Sequence, residues 1–289
     1  FFLFALFGTI AAFGIGNMVQ SNTVANQLQN TLSIEPALTG VVIAIIAGLV
    51  IIGGVKRIST FASALVPLMA LIYIVSALII VILNFNLIPG AFNIIFDHAF
   101  NGTAATGGFA GATVLMAIRF GIARGVFSNE AGLGSAPIAH AAAKTNNPPR
   151  QGAIAMLGTF FDTIIICSLT ALVIIISGSW MGGEKGVALT SNAFIFGLPS
   201  IGDSIVTICL ILFSFTTIIG WSYYGERCAQ FIFGKKIITP YRILWLLSII
   251  LGAYALNFGE QASDSISLIW LVADVMNGFM ALPNLIALV

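Results

Sequence analysis

Charge is what this sequence has least of. Only 7% of its 289 residues are Asp, Glu, Lys or Arg, against about 25% in soluble domains. With 59% hydrophobic residues and a mean hydropathy of +1.07, no water-facing shell could cover such a chain. A net charge of +1 supplies no basic face, so nucleic acid is excluded as a partner. Cys167, Cys209 and Cys228 are scattered through apolar runs at no metal-ligand spacing, and they read as small buried hydrophobes rather than disulfide or redox groups. His98 and His140 stand apart, no Ser/His/Asp or HExxH spacing occurs, and an intramembrane enzyme finds little support. There is also no initiator Met, charged n-region or small-residue cleavage site, so the start does not read as a signal peptide. The chain reads as an internal piece of a longer protein.

What is present is a series of apolar runs about 20 residues long, the length of a membrane-crossing helix; barrel strands would alternate over about 10. The fold class expected is therefore all-α, a polytopic membrane protein forming one transmembrane domain over residues 1–289. Eight spans are predicted: Phe1–Ala25, Leu38–Val55, Leu65–Leu87, Thr103–Ala131, Ile154–Ile176, Ile201–Gly225, Arg242–Asn257 and Ser265–Val289. The connections between them carry Pro, Gly and Asn. Lys56, Arg57, Lys144, Arg150, Arg227, Lys235, Lys236 and Arg242 then fall in loops on one side, and Lys185 alone on the other. Since Lys and Arg accumulate in cytoplasmic loops, the side carrying Lys56, Lys144, Arg150 and Lys235 is expected to be cytoplasmic, in a multi-pass protein of the cell membrane.

The polar residues within these spans are the candidates for chemistry. Arg119–Ala143 holds Arg119, Arg124, Asn129 and Glu130 together with Gly121, Gly125, Gly132 and Gly134. Backbone loosened by glycine survives in a bilayer only against protein or a watery cavity, and embedded charges mark a pathway or a pair. An interruption near Phe120-Gly121 would offer backbone groups to a zwitterion or a cation; a continuous, closely packed helix is the other reading. Glu130 is a natural partner for Arg124. Asn17, Gln20 and Ser21 share one helical face, and for Gln20 ligand binding and inter-helical bonding stand about even. Ser214, Thr216 and Thr217 offer the oxygen ligands that hard cations take, although threonines also bond back to their own helix. Asp162 and Asp274 are the other intramembrane acids, suited to a proton relay, a cation path or a pair with arginine.

GVFSNEAGLGSAP followed by IAHAAA, GNMVQSN in the first span and FTTIIGWSYYGE in the sixth resemble, in that order, the alanine/glycine:cation symporter family. The resemblance covers essentially the whole chain. It implies a leucine-transporter-like inverted-repeat fold with eight transmembrane helices here, core helices three to ten, the first two core helices lying outside the sequence. By position, the resemblance makes Gln20, Phe120, Gly121, Phe127, Ser128, Asn129 and Trp221 candidates for substrate binding. Trp221 is the expected wall against larger side chains, and Thr216 and Thr217 are the expected sodium ligands. The function implied is sodium-coupled symport of alanine or glycine by alternating access, with Na⁺ as coupling ion and no cofactor. The rivals are a proton-coupled permease of the same fold and a non-transporting subunit or inactive fragment.

Overall fold

The structure is a computed structural model that describes residues 1–100, 118, 121–122, 125, 128–184, 186–255 and 262–288, with side chains for all of these except 98–100 and 262–269. Among the described residues every regular element is helical. The long helices are α1 (Phe2–Leu32), α2 (Pro36–Ile52), α3 (Gly54–Leu83), α4 (Ile88–Phe100), α5 (Pro148–Ser177), α6 (Gly186–Gly197), α7 (Gly202–Phe233), α8 (Ile238–Tyr254) and α9 (Ala262–Leu288). Among the described residues, six stretches are long and apolar enough to cross a bilayer: α1, α3, α5, α7, Lys235–Tyr254 and Trp270–Leu288. The second expected span, α2, has 17 residues, at the lower limit for a crossing. Most of the fourth, Thr103–Ala131, lies outside the described residues.

The residues fall into two compact units. One comprises Phe1–Ala70, Glu130–Ala155 and Thr207–Val289; the other comprises Leu71–Asn129 and Met156–Val206.

In the first unit the distribution of residue types is that of a bundle bathed in lipid. Helix α2 turns Val41, Val42, Ile45, Ile46, Leu49 and Ile52 outward and buries Gly40, Ala44, Ala47 and Gly48. An aliphatic exterior over an interior of small residues suits lipid, where association rests on close van der Waals contact and inter-helical hydrogen bonds. The small face of α2 meets α8. A methyl group at Gly40 would lie 2.8 Å from the Ala253 Cβ, and one at Gly48 would lie 3.2 Å from Leu246.

Helix α1 carries the polar residues of this unit. It widens into a π-turn over Gly14–Met18, where the Val19 amide donates to the Gly14 carbonyl five residues back. Asn17, fully buried, donates from Nδ2 to the Trp245 carbonyl of α8 at 2.8 Å, and Asn22 donates to the Gly252 carbonyl at 3.0 Å. Asn17 and Ser21 thus share the α8 face with Asn22. Gln20 departs from the expected common face: its amide turns back to the Ile15 carbonyl at 3.1 Å.

The second unit packs around Tyr73, whose hydroxyl lies 2.7 Å from Thr170 Oγ1 and whose ring meets the fully buried Phe194 at 5.2 Å.

The structure corrects the expected loops. Lys56 and Arg57 stand in the first turns of α3, and Arg57 caps α2 by donating to the Leu49 carbonyl at 2.7 Å. Arg150 is in the first turn of α5, while Arg227 and Arg242 are within α7 and α8. Those last two meet at Glu226, which is 3% exposed; Arg242 Nε is 2.6 Å and Arg227 Nη2 3.3 Å from its carboxylate. A carboxylate shared by two guanidinium groups offsets part of their charge and helps them to lie on helices where hydropathy alone would end the span. Lys235 and Lys236 occupy a 3-10 turn, and Lys144 lies in the connection before α5.

A branched side chain at Gly252 has nowhere to go, because its Cβ would fall 2.5 Å from Ser21 Oγ and 2.7 Å from the Met18 backbone. Gly252→Val is expected to cost roughly 1–3 kcal/mol through overpacking, read as a lowered thermal midpoint in detergent. An unchanged midpoint would count against the α1–α8 packing described.

Candidate functional site

The functional candidates of the first unit lie along the seam between α1 and α7. Gly8, Ala12 and Gly16 repeat every four residues on α1 and form one stripe of small, buried positions. A Cβ at Gly8 would lie 3.1 Å from Cys228 Sγ, Ala12 Cβ sits 2.8 Å from where a Cβ at Gly225 would be, and a side chain at Gly16 would run into Trp221. The numbers rise along α1 as they fall along α7, so the two helices are antiparallel. Farther along, Gln27 Nε2 donates to Thr207 Oγ1 at 2.8 Å. Between the Gly16–Trp221 and Gln27–Thr207 levels, the register puts Gln20 at the level of Thr216 and Thr217.

Both threonine hydroxyls donate to the Phe213 carbonyl at 2.9 Å, the back-bonding that threonines in helices adopt. A hydroxyl that spends its proton this way keeps its lone pairs for another donor or for a cation. Ser214, adjacent in sequence, is 1% exposed.

Trp221 is 5% exposed. Its ring meets Tyr224 edge-on at 5.5 Å. Ser135, also buried, donates from Oγ to Glu130 Oε2 at 2.9 Å. The segment between them is irregular, with Gly132 at φ 87° and Gly134 at φ 92°; L side chains rarely adopt such angles. Asn284 Nδ2 of α9 donates to the Gly132 carbonyl at 2.9 Å. A Cβ at Gly134 would fall 2.7 Å from Phe4 and 2.8 Å from Asn284. Residues Glu130–Ser135 are therefore non-helical backbone held against α1 and α9, the setting in which such backbone is stable at membrane depth.

The second unit holds a separate polar cluster on α5, which has a π-helical stretch over Phe160–Cys167. Ser128 Oγ donates to Asp162 Oδ2 at 2.9 Å and lies 3.3 Å from Cys167 Sγ. Asn129 Nδ2 donates to Thr163 Oγ1 at 3.1 Å, and Thr163 Oγ1 is itself 3.3 Å from Asp162 Oδ2. Asp162 thus meets hydroxyl partners, and π-turns are frequent where helices carry function.

Of the residues singled out from the sequence, Trp221 packs on α1 at Gly16, and by register Gln20 of α1 lies at the level of Thr216 and Thr217 of α7. Ser128 and Asn129 share the α5 cluster, while Gly121 is helical with open space where a Cβ would be. Phe120 and Phe127 lie outside the described residues, as do Arg119 and Arg124.

Aliphatic surfaces outside, asparagine and hydroxyl groups inside and a braced irregular segment together define a polytopic helical membrane protein. The chain belongs to the sodium:alanine symporter family, whose model matches residues 2–289. It is 48% identical over 290 residues to an uncharacterized transporter of Haemophilus influenzae, covering 99% of this chain and 62% of that protein. It is 46% identical over 289 residues to the sodium/alanine symporter AgcS of Methanococcus maripaludis, with 99% and 61% covered. The amino-acid carrier protein AlsT of Bacillus subtilis is 35% identical over 287 residues, with 99% and 59% covered. The chain therefore spans about three fifths of the length of these curated relatives.

Gly134→Ala tests the bracing of the irregular segment. Positive φ and the contacts to Phe4 and Asn284 should together cost about 1–3 kcal/mol, seen as a lower thermal midpoint. Gly220, on a helix with nothing within 4 Å of its Cβ position, is the control. An equal shift in Gly220→Ala and Gly134→Ala would show that the segment is not held as described.

Proposed function

We propose that the protein to which this chain belongs is a sodium-coupled symporter of small neutral amino acids, alanine or glycine, working by alternating access. The observation that carries this reading is the antiparallel register of α1 on α7, which packs Trp221 on Gly16 and puts Gln20 at the level of Thr216 and Thr217. In the proposal Gln20 presents its amide to the amino acid, Trp221 limits the side chain, and the lone pairs of Thr216 and Thr217 contribute to a sodium site. Na⁺ is a hard cation that takes oxygen ligands, and two hydroxyls with their protons spent on one carbonyl fit that requirement. The resemblance adds Phe120, Gly121, Phe127, Ser128 and Asn129 as further candidates for substrate contact. The eight-span inverted-repeat arrangement and the cytoplasmic placement of Lys56, Lys144, Arg150 and Lys235 belong to the same proposal. Family membership and the relatives named as a sodium/alanine symporter and an amino-acid carrier support it. Binding of Na⁺ and substrate can shift such a transporter between states only through unequal affinity for them.

Alanine uptake by the full-length protein in liposomes, across a sodium gradient at fixed pH, is the test. Uptake indifferent to Na⁺ would favour the proton-coupled rival, with Asp162 or Asp274 titrating. Thr217→Val removes one oxygen and keeps the shape. It should raise the sodium concentration for half-maximal uptake about tenfold, the loss of one moderate polar contact, and leave the order of amino-acid preference intact. Trp221→Ala should do the reverse, admitting leucine or glutamine while sodium dependence stays; an unaltered preference would remove Trp221 from the pocket wall.

A further inference from the structure

The turn that joins α7 to α8 concentrates charge in a chain that has little of it. From Glu226 to Arg242 the sequence holds four cations, Arg227, Lys235, Lys236 and Arg242, against one carboxylate. Arg227 stands two helical turns before the end of α7, and Arg242 about one turn after the start of α8. At the helical rise both lie within about 9 Å of the turn, a distance that long side chains bridge to a headgroup layer about 5–7 Å deep. Glu226, 3% exposed, is the fixed point. It accepts from Arg242 Nε at 2.6 Å and from Arg227 Nη2 at 3.3 Å. Arg227 is held further, since Nη1 donates to Gln230 Oε1 at 2.6 Å and the guanidinium lies 4.9 Å from the centre of the Tyr223 ring. Arg242 is held at Nε alone. Its two Nη groups have no hydrogen-bond partner among the described residues, and its side chain is 26% exposed. A guanidinium is a rigid fork, so one fixed at Nε presents the N–H groups of its far end in a set plane. Around it the surface is apolar: Phe231, one turn on from Arg227, and Ile243 and Leu244, directly after Arg242, are exposed. Lys235 and Lys236 are exposed at the turn itself.

We propose that this turn binds the headgroup of an anionic phospholipid: Arg242, oriented by Glu226, grips the phosphodiester through its Nη groups while Lys235 and Lys236 balance the remaining charge. Paired N–H donors suit two phosphate oxygens at once, the geometry that makes arginine a preferred phosphate partner. Glu226 reduces the repulsion between the two guanidinium groups and sets the plane of the fork. Two observations select a lipid. The exposed aromatic and aliphatic side chains beside the cations give acyl chains a surface that a free anion has no use for. The excess of cations over acid matches a headgroup of net negative charge rather than a zwitterionic one. The site stands apart from Gln20, Thr216, Thr217 and Trp221, so lipid binding is measurable whether or not the transport reading holds.

The test titrates the full-length protein in detergent with phosphatidylglycerol or with phosphatidylcholine of the same acyl chains, and counts bound lipid by native mass spectrometry. Phosphatidylglycerol is expected to bind about tenfold more tightly. Arg242→Lys keeps the charge and loses the fork, and should weaken phosphatidylglycerol about tenfold. Replacing Lys235 and Lys236 by alanine should weaken it about fivefold for each lysine. Lys56→Ala, an equal loss of charge at an exposed position in the first turn of α3, is the control and should leave the affinity unchanged. If Arg242→Lys does not fold, as a thermal midpoint will show, the lysine exchanges carry the test, since both side chains are exposed on a turn. Inorganic phosphate should not displace the lipid. Equal affinity for the two lipids would overturn the proposal, as would an unchanged affinity in the folded Arg242→Lys protein. A loss in Lys56→Ala as large as in the lysine exchanges would replace the site by the charge of the whole surface. Displacement by inorganic phosphate would make the occupant a free anion and not a lipid.

Discussion

Helix α1 can approach its neighbours only where it has almost no side chains, and the first unit depends on that constraint. Gly8, Ala12 and Gly16 give α7 a channel, and Gly14 gives the same to Ala273 of α9, whose Cβ lies 3.2 Å from where a Cβ at Gly14 would be. The third side of α1 is polar, and Asn17 and Asn22 bond the carbonyls of α8. Lipid tails are as apolar as leucine, so no hydrophobic gain drives these helices together; contact area and hydrogen bonds must do it. Small residues supply the first by letting backbones approach, and the asparagines supply the second. The aliphatic residues are left for the outside, which is why hydropathy and burial run opposite to their relation in a soluble protein.

Much of the helix inventory was legible, because length and apolarity alone specify a crossing. The boundaries were less so. Lys56, Arg57, Arg227 and Arg242 read as loop residues, since a lone charge in lipid is costly. Their partners cannot be seen in a linear sequence. Glu226 lies beside Arg227 in the chain, yet Arg242 joins it only because α7 and α8 fold back on each other, 16 residues apart.

The site divided in a similar way. The threonine pair, Gln20 and Trp221 stand out by composition, and the antiparallel register brings Gln20 to the level of the threonines. The π-turns did not stand out: nothing in GNMVQSN or FFDTIIIC marks an extra residue per turn. The turn at Gly14–Met18 is nonetheless associated with Asn17 and Asn22, five positions apart, reaching the same helix. Glu130 was expected to pair with Arg124, six residues away. Among the described residues, the Ser135 hydroxyl donates to it.

The division of SNEAGLGSAP follows from where its side chains are anchored. Ser128 and Asn129 belong to the second unit and bond side chains of α5. Glu130 to Ser135 belong to the first and are fixed to α1 and α9. Positive φ at Gly132 and Gly134 ends any helix there. What makes the motif recognisable is then a set of side chains each suited to a different neighbour. Serine and asparagine suit hydroxyl and carboxylate partners, glutamate suits the Ser135 hydroxyl, and glycine suits turns that no other residue adopts cheaply. A motif of that kind organises the chain through the helices it holds.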